Sequence, residues 1–317
     1  MITYDSIVAA GKRIEKEIYH TPLESSMYLG KGDQRVYLKL EAQQKLKSFK
    51  VRGALSKMMN LSEKEKQRGV ITVSSGNHGS GVSYAGAVLK GVNATVVVPE
   101  STPKSKVEKI RYYGARVILQ GENFDGANRY AKKLIEEQGL TYIDACSDED
   151  VISGQGTMGL EILKSNPSID TLLVPIGGGG MITGISIAAK ALKPEITVIG
   201  VQTAACPAMV AAMKEGVFYE EYPTAPSICD ALVGGVGKIP YELSKTAIDD
   251  ILVVSERGIK KATKHLLTKE KVVSEPSGAV GVAALMEQRE RIPGKEIAVV
   301  VSGGNLDEEL LKKLLES

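Results

Sequence analysis

Short runs of β-branched and apolar residues recur along this chain, each followed by a turn and a helical stretch. Val70-Ile-Thr-Val73, Ala94-Thr-Val-Val-Val98, Ala115-Arg-Val-Ile-Leu119, Thr171-Leu-Leu-Val174, Ile196-Thr-Val-Ile199 and Ile297-Ala-Val-Val-Val301 are such runs, and Val36-Tyr-Leu-Lys-Leu40 adds an early one. Strands apolar on both faces belong in sheets covered on both faces, and intervening helices impose parallel crossovers. The alternation therefore predicts an α/β fold with mostly parallel sheets covered by helices. A chain of 317 residues has room for one or two domains. Polar stretches at 62–68 and 144–150 bracket a compact block. They divide the chain into a large unit, 1–68 with 145–317, and a small one, 69–144.

Composition narrows the class of function. The formal net charge is +2, and no charge block suggests a nucleic-acid arm or a membrane patch. The amphipathic N-terminus lacks the continuous apolar region of a signal peptide, and no apolar run reaches the ~18 residues of a membrane span. Cys146, Cys206 and Cys229 are scattered without metal-ligand spacing, which favours a reducing, cytoplasmic setting. With three histidines, a histidine metal centre is not expected.

Three strands end in unusual turns: Val73-Ser-Ser-Gly-Asn-His-Gly79, Val174-Pro-Ile-Gly-Gly-Gly-Gly-Met181 and Val301-Ser-Gly-Gly-Asn305. Ligands of open α/β sheets bind beyond the carboxyl ends of strands, so a site belongs at these loops. The run Gly177, Gly178, Gly179, Gly180 precedes a helix expected over 181–191. It lets backbone N–H groups converge on an anion. Without a following Gly-Lys-Ser/Thr, a phosphate ester suits it better than a Mg–nucleotide. The loop 74–79 offers hydroxyls, an amide and a helix start rich in small residues, suited either to a substrate carboxylate or to ordinary capping by Ser75 or Asn77. His78 reads as a structural hydrogen-bonding residue. Ser302 either meets a ring nitrogen or caps a helix beginning near Leu306. Glu275 either orients a ligand or ends a turn before Pro276.

Lys50 lies in Lys-Ser-Phe-Lys-Val-Arg-Gly-Ala (47–54), at the expected start of an amphipathic helix with Ser48 as N-cap. Val51, Ala54, Leu55, Met58 and Met59 follow at helical spacing. A lysine there faces the positive end of the macrodipole. Given an aldehyde cofactor, its amine can form a Schiff base.

Taken in order, these segments resemble the fold-type II family of pyridoxal-phosphate enzymes, in its serine/threonine dehydratase (threonine ammonia-lyase) and serine racemase branch. The resemblance runs from His-Thr-Pro-Leu (20–23) to Ser-Gly-Gly-Asn (302–305), through 48–54, 74–79, Gly-Gln-Gly-Thr (154–157) and 177–181. His78 and Val51 select the branch. It implies a two-domain, tryptophan synthase β-like fold whose small domain is mobile. Lys50 would hold pyridoxal 5'-phosphate, Phe49 would lie against its ring, and Asn77 would hydrogen-bond the ring hydroxyl. Gly177 to Gly180 and the Met181 amide would bind the phosphate, and Ser302 the pyridine nitrogen. Ser74, Ser75, Gly76, Asn77 and His78 would hold the carboxylate of a small amino-acid substrate, with Ser75 on the face opposite Lys50.

The implied reaction is β-elimination of water from L-threonine or L-serine, giving a 2-oxo acid and ammonia. Lys50 would be the base for the Cα proton. A racemase, a dehydratase of another β-hydroxy amino acid such as hydroxyaspartate, and a catalytically silent ligand-binding homologue stay open. A homodimer or homotetramer is expected. The stretch 202–208 lacks the carboxylates of metal-binding members, so no divalent site is expected. The chain ends soon after Ser302, so no C-terminal regulatory domain is expected. Asp144-Ala145 stands where many relatives have His-Pro, a change the sequence alone does not explain.

Overall fold

The computed structural model describes residues 1–316. Ten strands form two sheets: β1 Leu23–Lys31, β2 Gln34–Leu40, β3 Val70–Val73, β4 Ala94–Val98, β5 Arg116–Leu119, β6 Thr141–Tyr142, β7 Thr171–Pro175, β8 Thr197–Thr203, β9 Asp250–Val254 and β10 Glu296–Val301. The six-stranded sheet has the order β1-β2-β10-β7-β8-β9, and the four-stranded sheet β5-β4-β3-β6. All pairings are parallel except β1 with β2. The mostly parallel α/β fold read from the alternation is thus present, and the small sheet draws its strands from within 69–144. The alternation does not predict β1, β6 and β9. All three lie at sheet edges. Polar or exposed residues interrupt β1 and β9, and β6 has only two residues.

The central strands bury both faces, and the alternation of side chains sorts them into two cores. Leu173, Val299 and Val301 pack with Val280 and Ala283 of the helix Pro276–Glu287. Leu172, Val174, Ala298 and Val300 turn the other way, onto Ile182 and Ile185 of the helix Gly180–Leu192. Each Val, Leu or Ile among them contributes about 1.5–3 kcal/mol by leaving water. The small sheet repeats the arrangement. Val70 and Val96 meet Val82 and Ala85 of the helix Asn77–Val88. Ile71 and Val97 meet Ala127 and Ala131 of the helix Phe124–Gln138. The expected close packing of small residues holds. A Cβ on Gly86 would sit 3.1 Å from Ala94 Cβ, and one on Gly81 would sit 3.3 Å from Ala54 Cβ.

The helix Lys50–Met59 lies between the two sheets' helices and is anchored from behind by a buried ionic cluster. Arg52 is wholly buried and donates bidentately to Glu41, at 2.8 Å to each oxygen. It also donates to Glu161 (2.6 and 2.9 Å) and to Thr157 Oγ1 (3.1 Å). Buried Lys39 donates to Glu161 as well. Burial alone would raise the Glu161 carboxyl, but the Arg52 guanidinium outweighs it and holds the group below its ordinary range. Thr157 belongs to the motif 154–157, which therefore packs behind Lys50. A Cβ on Gly154 would lie 2.6 Å from the Arg52 carbonyl oxygen.

Candidate active site

Lys50 begins its helix, but Ser48 is not the N-cap. Phe49 occupies that position with helical backbone angles, and the Ser48 hydroxyl instead accepts weakly from Lys50 N at 3.4 Å. The approach to Lys50 is strained. Leu46 and Lys47 have φ of 61° and 58°, a region uncommon for side-chain-bearing residues. The third glycine-rich turn holds this segment in place. Gly304 N donates to Lys47 O at 2.8 Å, Asn305 Nδ2 to Leu46 O at 2.9 Å, and Phe49 N to Ser302 O at 3.2 Å. Lys50 Nζ donates to Ala145 O at 3.2 Å and lies 5.2 Å from the centre of the Phe49 ring.

Ala145 connects Lys50 to the glycine run. The next residue, Cys146, packs against the loop, with its thiol beside Gly178 and its carbonyl beside Gly180. Burial pushes this thiol up, keeping it neutral. A Cβ on Gly178 would sit 2.4 Å from Cys146 Sγ, and one on Gly180 would sit 2.9 Å from Cys146 O. Gly179 has φ of +90°, which favours glycine. The glycines are therefore required by close approach as well as by the turn. The glycine-loop amides at the start of the helix Gly180–Leu192 can take a phosphate oxygen. Asp144 has a clear local role: its Oδ1 accepts from Cys146 N (2.7 Å) and Ser147 N (2.6 Å) and so shapes this turn.

Neither Ser75 nor Asn77 caps the helix Asn77–Val88; Gly76 stands at the cap without a side-chain bond. Ser74 Oγ accepts from Gly76 N at 3.3 Å, tightening the loop. Ser75 Oγ makes no hydrogen bond among the described residues. The Asn77 carboxamide donates to Glu275 Oε1 at 2.8 Å and accepts from Asn305 Nδ2 at 2.6 Å. Glu275 is thus a buried partner of Asn77 and not a turn ornament. Burial pushes its carboxyl up to about 7. His78 is 2 % exposed, and its Nε2 meets Ile143 O at 3.0 Å. A carbonyl only accepts, so Nε2 carries the proton and Nδ1 presents a lone pair, which is buried without a partner. Burial, with the nearby Lys50 charge, holds the imidazole near 4 and hence neutral.

Ser302 is buried at the end of β10, and its hydroxyl makes no hydrogen bond among the described residues. It does not cap the last helix, because Asp307 Oδ1 does so by accepting from Glu309 N and Leu310 N. The three glycine-rich turns and Lys50 are thus tied together through Ala145, Cys146, Glu275 and Asn305. Their reasons for being there are contacts between distant segments, with no sequence signal besides the Asn that ends Ser-Gly-Gly-Asn and the Glu before Pro276. The described residues contain no cluster of three or more His, Cys, Asp or Glu able to hold a metal. No helix among them is long and apolar enough to cross a membrane.

Comparison with known proteins identifies the family. Residues 14–303 match the family model described as pyridoxal-phosphate dependent enzyme. The chain is 40% identical over 317 residues to an L-threonine ammonia-lyase of Thermotoga maritima, covering 99% of this chain and 78% of that protein. Among solved structures, maize serine racemase superposes with a TM-score of 0.91 at 33% identity, covering 99% and 97% of the two chains. A threonine deaminase from T.th. does so with a TM-score of 0.89 at 37% identity, covering 96% and 99%. The donor set also suits the cofactor: an amine at Lys50, glycine-loop amides at a helix start, and a hydroxyl at Ser302 that is unbonded among the described residues. The chain belongs to the pyridoxal-phosphate dependent enzyme family.

Proposed function

We propose that the chain is an ammonia-lyase that removes water from L-threonine or L-serine and releases a 2-oxo acid and ammonia. The observation that carries this reading is the short path from the Lys50 amine through Ala145 O to Cys146, which packs against Gly178 and Gly180. It sets a nucleophilic amine one residue from an anion cradle. Relatives named as threonine ammonia-lyase and threonine deaminase support the substrate class. Bound there, pyridoxal phosphate supplies a carbonyl for the substrate amine and an electron-accepting ring.

The chain's own residues supply the rest. Gly177 to Gly180 and the Met181 N–H hold the phosphate, and Phe49 lies against the ring. Ser302 Oγ meets the ring nitrogen as a neutral partner, and Asn77 meets the ring oxygen. Ser74 to His78 hold the substrate carboxylate at the start of the helix Asn77–Val88. Lys50 Nζ, held by Ala145 O, takes the proton from Cα once its amine is free. Neutral His78 adds no second positive charge beside that amine. Residues 69–144 move as a unit to close over the substrate, and the enzyme works in the cytoplasm as a homodimer or homotetramer.

The hydroxyl of Ser75, unbonded among the described residues, favours a second activity. A proton delivered to Cα from the face opposite Lys50 would invert the substrate. Assay of 2-oxo acid and of both enantiomers over L-threonine, L-serine and hydroxyaspartate tests the reading. The lyase predicts 2-oxo acid as the main product from L-threonine or L-serine. D-serine formed faster than pyruvate from L-serine would make the protein a racemase instead.

A further inference from the structure

A chain of four side chains beside Lys50 determines which way round the Asn77 carboxamide sits. Lys109 Nζ donates to Asn305 Oδ1 at 2.6 Å. Asn305 Nδ2 donates to Leu46 O at 2.9 Å and to Asn77 Oδ1 at 2.6 Å. Asn77 Nδ2 donates to Glu275 Oε1 at 2.8 Å. The oxygen and nitrogen of a carboxamide are nearly alike in shape, so their assignment follows from their partners. Here the groups that meet Asn305 have a single role each. The Lys109 ammonium only donates and the Leu46 carbonyl only accepts, and both turn Asn305 the same way. The second Asn305 N–H then requires an acceptor, which is Asn77 Oδ1. That leaves Asn77 Nδ2 facing the Glu275 carboxyl. A flipped Asn77 would set N–H against N–H at Asn305 and, where Glu275 is ionised, oxygen against oxygen there as well. One N–H of Asn77 remains without an acceptor among the described residues.

We infer that Asn305 and Glu275 are positioning residues that hold Asn77 as a hydrogen-bond donor, so that the cofactor ring oxygen it meets is bound as the oxide and not as the hydroxyl. The inference rests on the proposed role of Asn77 beside the ring. It concerns two residues that need not touch the cofactor, and it fixes a direction of hydrogen bonding. Lys109 and Asn77 come from helices packed on the small sheet, whereas Asn305 and Glu275 flank the end of β10. The orientation of Asn77 is thereby set jointly from both sides of the site.

The test uses the full-length protein as Asn305→Asp, Asn305→Ala, Glu275→Gln and wild type, each stripped of cofactor and titrated with pyridoxal phosphate. Dissociation constants come from equilibrium dialysis, the ionisation of the ring oxygen from the absorbance of the bound cofactor, and folding from thermal melting. Asn305→Asp places an acceptor opposite Asn77 Oδ1 and favours the flip. It should weaken binding about tenfold and move the absorbance towards the hydroxyl form. Asn305→Ala, which only releases the amide, should do the same about threefold. Glu275→Gln keeps an acceptor and should stay within about twofold of wild type. Folded Asn305→Asp and Asn305→Ala proteins with wild-type affinity and absorbance would overturn the inference. Failure of wild type to bind pyridoxal phosphate would instead overturn the proposed function.

Discussion

Two polar clusters flank Lys50, and they are built in opposite ways. Behind it, Arg52, Lys39, Glu41 and Glu161 form two cations and two anions, each paired, with Arg52, Lys39 and Glu41 fully buried and Glu161 partly so. In front of it, Asn77 keeps a spare N–H, the Ser75 and Ser302 hydroxyls are unbonded among the described residues, and His78 Nδ1 is buried without a partner. A buried polar group without a partner costs roughly 1–3 kcal/mol. The cluster behind is satisfied by the protein itself and serves to hold the helix Lys50–Met59. The cluster in front is left short of partners, as a surface meant to receive a polar ligand would be. Completeness of hydrogen bonding separates the Arg52 cluster itself from the site, although Gln155 Nε2, beside Gly53 on the supporting side, is also buried without a partner.

Substitutions on the two sides should therefore behave differently. Arg52→Met strands Glu41 in the interior and leaves Glu161 to Lys39 alone, and it should lower the unfolding free energy by about 3–5 kcal/mol, read by urea denaturation. A loss below about 1 kcal/mol would mean that the cluster behind is not a support.

The pH dependence of stability sharpens the picture of the cluster in front, where the fold opposes charge on both of its buried titrating groups. His78 is held near 4 against an ordinary 6.5, so between those values the unfolded chain binds the extra proton. That group makes stability rise with pH across the window, by about 3 kcal/mol. Glu275 is raised from 4.5 to about 7, so there the fold holds the extra proton. Its contribution is fully present below 4.5 and is lost as pH rises through 7, again by about 3 kcal/mol. The two slopes oppose one another between pH 4.5 and 6.5. Glu275→Gln should unmask the first, gaining about 2–3 kcal/mol over wild type as pH rises across that window. Parallel denaturation profiles for the two proteins would contradict the burial of a titrating Glu275.

Smaller effects follow at the loop and the ring contact. Gly178→Ala drives a methyl into Cys146 Sγ and should cost about 1–3 kcal/mol, with loss of cofactor binding measured by dialysis. Ser302→Ala removes a hydroxyl that bonds nothing among the described residues. It should change stability by no more than about 0.5 kcal/mol, read by thermal melting, while weakening the cofactor.

The parts of this arrangement legible in the sequence are those with a local pattern. β3, β4, β7 and β10 are apolar on both faces and announce themselves, and the turns after β3, β7 and β10 carry glycine and hydroxyl residues in unusual density. The strands β1 and β9 lack that pattern because polar or exposed residues interrupt them, and β6 because it has two residues, whereas β5, also at an edge, keeps it. Arg52 reads as one more helical charge, since its partners lie 11 and 109 residues away. Ala145 contributes only a carbonyl, which any residue would provide. Cys146 reads as a scattered cysteine because its contact is with glycine backbone more than thirty positions on. Tertiary contacts of this kind leave no periodic trace.

Borohydride reduction of the protein loaded with pyridoxal phosphate, followed by mass analysis of its peptides, asks most directly whether the unsatisfied face before Lys50 is a cofactor site. A single phosphopyridoxyl group on the peptide carrying Lys50, absent from Lys50→Ala, is the predicted result. A protein that takes up no cofactor, or that carries it on other lysines with Lys50 unmodified, would contradict it.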